Sequence, residues 1–236
     1  MNGERDLIKK NNVRNFIDLL SVCMGKAQAN QLNLLDILGE HKRWNVDVTR
    51  GKLTIDDKDF DIEFIGTESA TNNTWLWADA NNGIPEEAKT IVKQIYSIGK
   101  AYGIPEFLED NLPIEGLING HNLSSIACIL LSDKLCYYRG KSDESAPAVF
   151  MFVKSADAKI FEPVDTNRFN RIVMECISAY ELNHWLFIKS FMELNNCSID
   201  VTEQSIIGIW PNGNKFIAKF DESNRYINAE ITMSGN

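Results

Sequence analysis

No apolar run in this 236-residue sequence is long enough to cross a bilayer. The longest, "IACILL" and "AVFMFV", stop at six residues, against the roughly twenty that a membrane helix needs. The opening segment "MNGERDLIKKNNVRNF" mixes acidic residues among its charges and lacks an apolar stretch, which speaks against a signal peptide. Clustered basic residues are scarce. The formal net charge is −9, and the densest basic cluster is the short "HKRW" at His41–Trp44. That balance repels phosphate backbones and anionic lipid, so neither nucleic acid nor membrane is an expected partner.

Metal and redox motifs are missing as well. The five cysteines (Cys23, Cys128, Cys136, Cys176, Cys197) are odd in number and scattered, and the three histidines (His41, His121, His184) lie far apart. There is no CxxC, no HExxH and no His-Cys cluster at ligand spacing, so no metal is expected and the cysteines read as reduced, in a cytoplasmic setting. "DDKDFD" lacks the glycine and terminal glutamate of a calcium loop and reads as a solvated hairpin tip. No phosphate-cradling GxxxxGK[ST] or GxGxxG occurs, nor a GxSxG nucleophile elbow. No cofactor is implied.

What the chain does have is an ordinary globular composition, 44% hydrophobic and 24% charged, enough to bury a core. Its apolar residues change period along the sequence. Helical spacing marks residues 5–24 and 27–38, ending at Gly39. A period of two then predicts the strands "RWNVDVT", "KLTI", "FDIEFIGT" and "TWLWAD", the simplest arrangement being a meander. Pro85, followed by Glu86 and Glu87, predicts a helix to Tyr102 with Ala88, Ile91, Val92, Ile95 and Ile98 on its apolar face. "LSSIACILLS" predicts a short buried helix, and "KLCYYRG" with "APAVFMFVKS" a strand pair. A long helix over 166–195, capped by Asp165 or Thr166, precedes the strands "SIDVT", "SIIGIW", "KFIAKF" and "RYINAEI". The Asn212-Gly213 pair marks a tight hairpin turn. The expected class is α+β, mainly antiparallel sheets packed against amphipathic helices, in two helix-then-meander halves. The boundary falls near Lys154–Pro163, giving 1–155 and 156–236.

Two phrases carry candidate sites. In "INGHNLSSIA", His121 beside Ser124 and Ser125 is the most enzyme-like combination. A nucleophilic serine also needs an orienting carboxylate and an oxyanion hole, which nothing here supplies, and Asn122, Ser124 or Ser125 as a helix cap explains the same letters. No catalytic residue is assigned. In "TNNTWLWADANNGIP", Trp75, Trp77 and Asp79 share one face if the strand runs on, making either a stacking platform or a buried sheet anchor. The adjacent amphipathic helix favours burial. Candidate ligand-binding residues are Trp75, Trp77, Asp79, Asn81, His121, Tyr138 and Arg139.

Gly66-Thr67 followed by "TWLWADAN" (Thr74–Asn81), with "CYYRG" (Cys136–Gly140) later, resembles an uncharacterised bacterial family with a T-W-L-W-A-x-A-N signature, over about residues 30–155. The pattern often has a third tryptophan where Asp79 stands. The resemblance implies a bacterial, intracellular protein and supplies no catalytic residues. Two functions are therefore in play. One is a non-catalytic domain that binds another protein, a basic one given the acidic charge, as an immunity protein binds a toxin. The other is a small-molecule binder or enzyme with a pocket near Trp77, Asp79, Tyr138 and Arg139.

Overall fold

The computed structural model describes residues 6–40, 43–143 and 146–234, so His41 and Lys42 of the basic cluster lie outside it. The elements in chain order are α1 (Leu7–Lys10), α2 (Phe16–Leu38), β1 (Trp44–Asp47), β2 (Lys52–Ile55), β3 (Lys58–Ser69), β4 (Thr74–Trp77), α3 (Val92–Tyr102), β5 (Asn111–Pro113), α4 (Gly120–Leu131), β6 (Cys136–Gly140) and β7 (Ala148–Val153). Then follow α5 (Thr166–Ala179), α6 (His184–Leu194), β8 (Ser198–Val201), β9 (Ser205–Ile209), β10 (Lys215–Phe220) and β11 (Tyr226–Thr232). Every named strand pair is antiparallel, and the class is α+β.

By packing, the chain divides into residues 30–161 and a unit that joins the residues up to 29 with those from 162 onward. This differs from the expected 1–155 and 156–236 division, because the start of the chain packs with its end. Within that second unit the Asn183 N–H donates to Ser21 Oγ (2.8 Å), and Ser190 Oγ donates to the Val22 carbonyl (2.7 Å). Nothing in a hydrophobic period encodes such pairings.

In the 30–161 unit, β3 is the organising strand. Its Asp61 carbonyl accepts from Lys154 N at the end of β7, whereas Ile62 N donates to Gly51 O on the β2 side, so β2 and β7 lie on opposite edges. The first half of β3 pairs β2 and the second half pairs β4, with β7 and then β6 beyond the other edge. A bulge at Ile65 bends the strand between the two halves. The meander β1–β4 is thus present, extended by β5, a short strand within "FLEDNLPIEGLINGHN", whose Pro and Gly spacing suits a loop with short helical turns. The open edge of β6 is closed by α2: Gln31 donates to the Tyr137 carbonyl and accepts from Tyr137 N, each at 3.0 Å, as a neighbouring strand would.

Two expected helices are shorter than their periodicity suggests. Residues 86–88 form one 3-10 turn and α3 begins only at Val92. The intervening residues are drawn inward: Glu63 on β3 accepts from Ile91 N (2.6 Å) and Thr90 Oγ1 (2.7 Å), and Lys89 turns under the chain. The 166–195 segment is two helices broken at Tyr180–Asn183. Asp165 caps α5 by accepting from Arg168 N, and Asn183 caps α6 by accepting from Leu186 N. The cap of α4 is Asn119, accepting from Asn122 N (2.9 Å), rather than Asn122, Ser124 or Ser125.

The second unit stacks α5 and α6 on a four-stranded meander, β8–β11 in order. Phe169 stacks on Phe191 (4.2 Å between ring centres) and meets Trp210 and Phe216 edge-on. His184 is half-buried, its Nδ1 accepting from Tyr226 N at 3.0 Å. All five cysteines are free. The β9–β10 turn is a three-residue loop closed by Gly213 N to Trp210 O (2.9 Å), with Gly213 at φ +84°, not the two-residue turn that Asn-Gly suggested. Replacing Gly213 by a β-branched residue forces that residue into a left-handed conformation. Gly213→Val is expected to cost about 1–3 kcal/mol, read as a lowered melting temperature; an unchanged melting temperature would contradict this account of the turn.

Candidate functional site

The residues of "TWLWADAN" do four different jobs. Trp75 is wholly buried, edge-on to Trp77 and to Phe150 of β7, both at 5.3 Å. It lies so close to β3 that a Cβ at Gly66 would sit 2.4 Å from its ring. Trp77, 5% exposed, donates its Nε1–H to the Glu106 carbonyl (3.0 Å) and packs edge-on to Phe107. Neither indole is a platform.

Asp79 leaves the strand. β4 ends at Trp77, and Ala78–Ala80 form a 3-10 turn, so Asp79 does not share the tryptophans' sheet face. The turn is held from below by Lys89, almost completely buried, whose ammonium donates to the carbonyls of Asp79 (3.2 Å) and Asn81 (3.3 Å) and pairs with Glu86 (2.8 Å). Hydrogen bonds from Lys89 and Lys93 hold the exposed Glu86 carboxyl down at about 2. Asn81 is structural too, its Oδ1 accepting from Gly83 N.

This turn and the 105–110 segment enclose a cleft of about 420 Å³, with Trp77 at its floor and Asp79, Tyr96, Leu108, Glu109 and Asp110 around it. Tyr96 and Leu108 are exposed apolar residues, and Lys100 Nζ sits 4.6 Å from the Tyr96 ring centre. Asp79 has Lys93 only at 4.0 Å, and Lys93 lies nearer to Glu86. Glu109 and Asp110 carry no ion pair among the described residues. The lining of the cleft thus includes three acidic residues, Asp79, Glu109 and Asp110, beside the apolar Trp77, Tyr96 and Leu108.

The other candidates lie elsewhere. Phe150 opposes Gly66 on one side and Arg139 on the other, so Arg139 shares the Trp77 face but stands three strands away, roughly 14 Å. There it lies over Phe150, near His121, whose Nδ1 is 3.0 Å from Tyr137 Oη. Glu68 accepts from Gly120 N (2.7 Å) at the start of α4. Burial, reinforced by Arg139 and opposed by Glu68, pushes the His121 pKa below its ordinary value. Tyr138 points to the opposite face and packs near Trp44 (6.1 Å). Trp77, Asp79, Tyr138 and Arg139 therefore do not form one pocket. On that opposite side lies a larger groove, about 880 Å³, with Trp44, Val46, Phe64 and Val149 below and Arg43 and Asp56 at its rim. No described cluster of three or more His, Cys, Asp or Glu side chains could hold a metal ion.

Sequence reading missed Glu63, Lys89, Tyr96, Glu109 and Asp110. Lys89 and Tyr96 lie off the apolar stripe of the expected 85–102 helix, and Glu109 and Asp110 fall in a segment that suits a loop with short helical turns. The only signal was the density of carboxylates there.

The fold and cleft define an α+β domain with an acidic, aromatic-floored recess. The chain belongs to the family of unknown function DUF6882, which matches residues 17–156. No curated protein and no solved structure matches it. No described helix is long and apolar enough to cross a membrane.

Trp75→Ala is expected to destabilise by about 3–5 kcal/mol in denaturant unfolding, as large core truncations do; native stability would return the strand to the list of binding surfaces. Glu63 gives a pH test. Burial opposes its charge, but hydrogen bonds from Lys154, Ile91 N and Thr90 outweigh burial and hold its pKa below the ordinary 4.5. Its stabilisation is complete above the unfolded-state value and is lost as pH falls through the lower folded one. Glu63→Gln should cost about 1–3 kcal/mol near neutrality and flatten the acid limb of stability against pH. An acid limb identical to wild type would refute the assignment.

Proposed function

We propose that this chain is a non-catalytic protein-interaction domain whose partner offers basic side chains, in the manner of an immunity protein meeting a basic toxin. The observation that carries this reading is the cleft beside Trp77, lined by Asp79, Glu109 and Asp110 together with the apolar Tyr96 and Leu108. A lysine or arginine has the matching chemistry. Its aliphatic stem lies along apolar surface while its head reaches the carboxylates. The net charge of −9 steers such a partner inward at long range.

The test uses fluorescent synthetic peptides, arginine- and lysine-rich against glutamate-rich controls, in anisotropy titrations. Basic peptides should bind, more weakly in high salt. The Asp79→Asn, Glu109→Gln, Asp110→Asn triple variant should lose about tenfold or more in affinity, equivalent to about 1.4 kcal/mol. Equal affinity of wild type and variant would reject the reading.

A second reading, a small-molecule-binding protein or enzyme, is favoured by the 880 Å³ groove, which has the size and apolar lining of small-ligand sites. A metabolite thermal-shift screen separates the two. A hit abolished by Val46→Glu, with peptide binding absent, selects the second.

A further inference from the structure

We propose that His184 is a pH-sensitive latch on the start of β11, holding the Tyr226 N–H while its ring is neutral and releasing it when the ring takes up a proton. This inference is independent of the cleft and of the reading drawn from it.

At its start β11 is poorly tied to its own sheet. Phe220 on β10 opposes Tyr226, whereas Lys219 opposes Asn228, so Ile227 is an extra residue that interrupts the ladder. The loop before the strand is closed on itself. Asp221 N donates to the Arg225 carbonyl (3.0 Å), and Asp221 Oδ1 accepts from Ser223 N (2.9 Å) and Arg225 N (2.8 Å). Between that loop and the bulge, the Tyr226 N–H goes to His184 Nδ1 at 3.0 Å.

The histidine stands on a fixed post. It is the first residue of α6, directly after Asn183, whose Oδ1 caps the helix by accepting from Leu186 N (3.2 Å). Asn183 is itself tied to α2: its N–H donates to Ser21 Oγ (2.8 Å) and its Nδ2 to Asp18 Oδ1 (3.0 Å). The ring is thus placed by α2 and α6, and the amide by the hairpin. Their hydrogen bond joins the two, beside the packing of Trp185 on Phe220 (4.8 Å between ring centres).

A ring nitrogen accepts a hydrogen bond only when it carries no proton, so this contact fixes Nδ1 bare and the proton on Nε2. An imidazolium would set N–H against N–H. The surroundings decide when that happens. Burial, and then Arg225, lower the His184 pKa beneath the ordinary 6.5, and Asp221 opposes them. The positive end of α6 acts in the same direction as Arg225. Other titratable groups beside the joined segments are Asp18 of α2, Tyr180 and Glu181 before α6, Glu222 in the loop and Tyr226 itself. Burial raises both tyrosines above the ordinary 10, so they stay neutral where histidine titrates. A histidine held neutral by the fold adds stability that is complete above its unfolded value and is lost as pH falls through the lower folded one. Acidification therefore frees the start of β11, while the Asp221 loop and the central ladder keep their bonds.

Amide hydrogen exchange of the full chain, followed by NMR over roughly pH 4.5–8, tests this. Corrected for intrinsic rates, Tyr226 protection should be constant above the His184 titration and fall by up to about tenfold per pH unit below it. Ile217 and Ala218, on a strand paired at both edges, should stay protected throughout. Ring-nitrogen shifts should show a bare Nδ1 at neutral pH. His184→Asn, whose Oδ1 accepts at any pH, should keep Tyr226 protected without the acid dependence, and His184→Phe should lose that protection at every pH. Tyr226 protection that ignores the His184 titration, a proton on Nδ1 at neutral pH, or acid dependence in His184→Asn equal to wild type would each overturn the proposal. The wild-type and Asn measurements decide the matter even if the Phe variant fails to fold.

Discussion

Trp75 is pressed against β3 at the one place where β3 has no side chain. Gly66 leaves room for the ring, and any Cβ there would overlap both it and the Leu76 carbonyl. The close approach sets how β4 sits beside β3, and with it where Trp77, Phe150 and Phe107 meet. Large aromatic rings bury more apolar surface than any other side chains and prefer the edge-on geometry seen here. The tryptophans of the family-like segment therefore build the sheet. The function proposed above sits on the residues that follow them.

Beyond Trp77 the chain must turn away from the sheet, which leaves backbone carbonyls pointing into a dry region. Buried Lys89 answers this by donating to two of them and reaching Glu86 at the surface. An ammonium in that position is tolerated because oxygen atoms surround it. The same inward pull breaks the helical segment before Val92 and, together with Glu63, seats the start of α3. Asp79 is swung outward as a result and joins Glu109 and Asp110 at the rim of the cleft. The acidic recess is thus a by-product of how one buried cation organises a turn.

Much of the architecture was legible beforehand. Alternation predicted β1–β4 and β8–β11, because strand side chains reverse face at every residue; β6 and β7, buried on both faces, read as a strand pair from short apolar runs around a turn. Burial of both tryptophans followed from the amphipathic segment beside them. Less legible were breaks caused by single polar contacts. Asn183 caps α6 inside an unbroken apolar stripe, and the helical pattern over 86–91 is overridden by Glu63, twenty-eight residues from Ile91 in sequence. Of the candidate site residues, Trp77 and Asp79 come together in a cleft, while Tyr138 and Arg139 could not join them. Adjacent residues on a strand face opposite ways, and strand order was not encoded in the spacing.

The sequence by itself determined the α+β class, the periods of its elements, the acidic balance and the absence of recognisable catalytic or metal-binding motifs, since these depend on residues near one another along the chain. Only the tertiary structure decided which strands neighbour β3, that the N-terminal residues pack with the C-terminal ones, and that Glu109 and Asp110 line the same recess as Asp79. Those outcomes rest on contacts between residues tens to more than a hundred positions apart, such as Asn183 with Asp18 and Gln31 with Tyr137. Hydrophobic patterning specifies which face of an element is buried, but not against which other element.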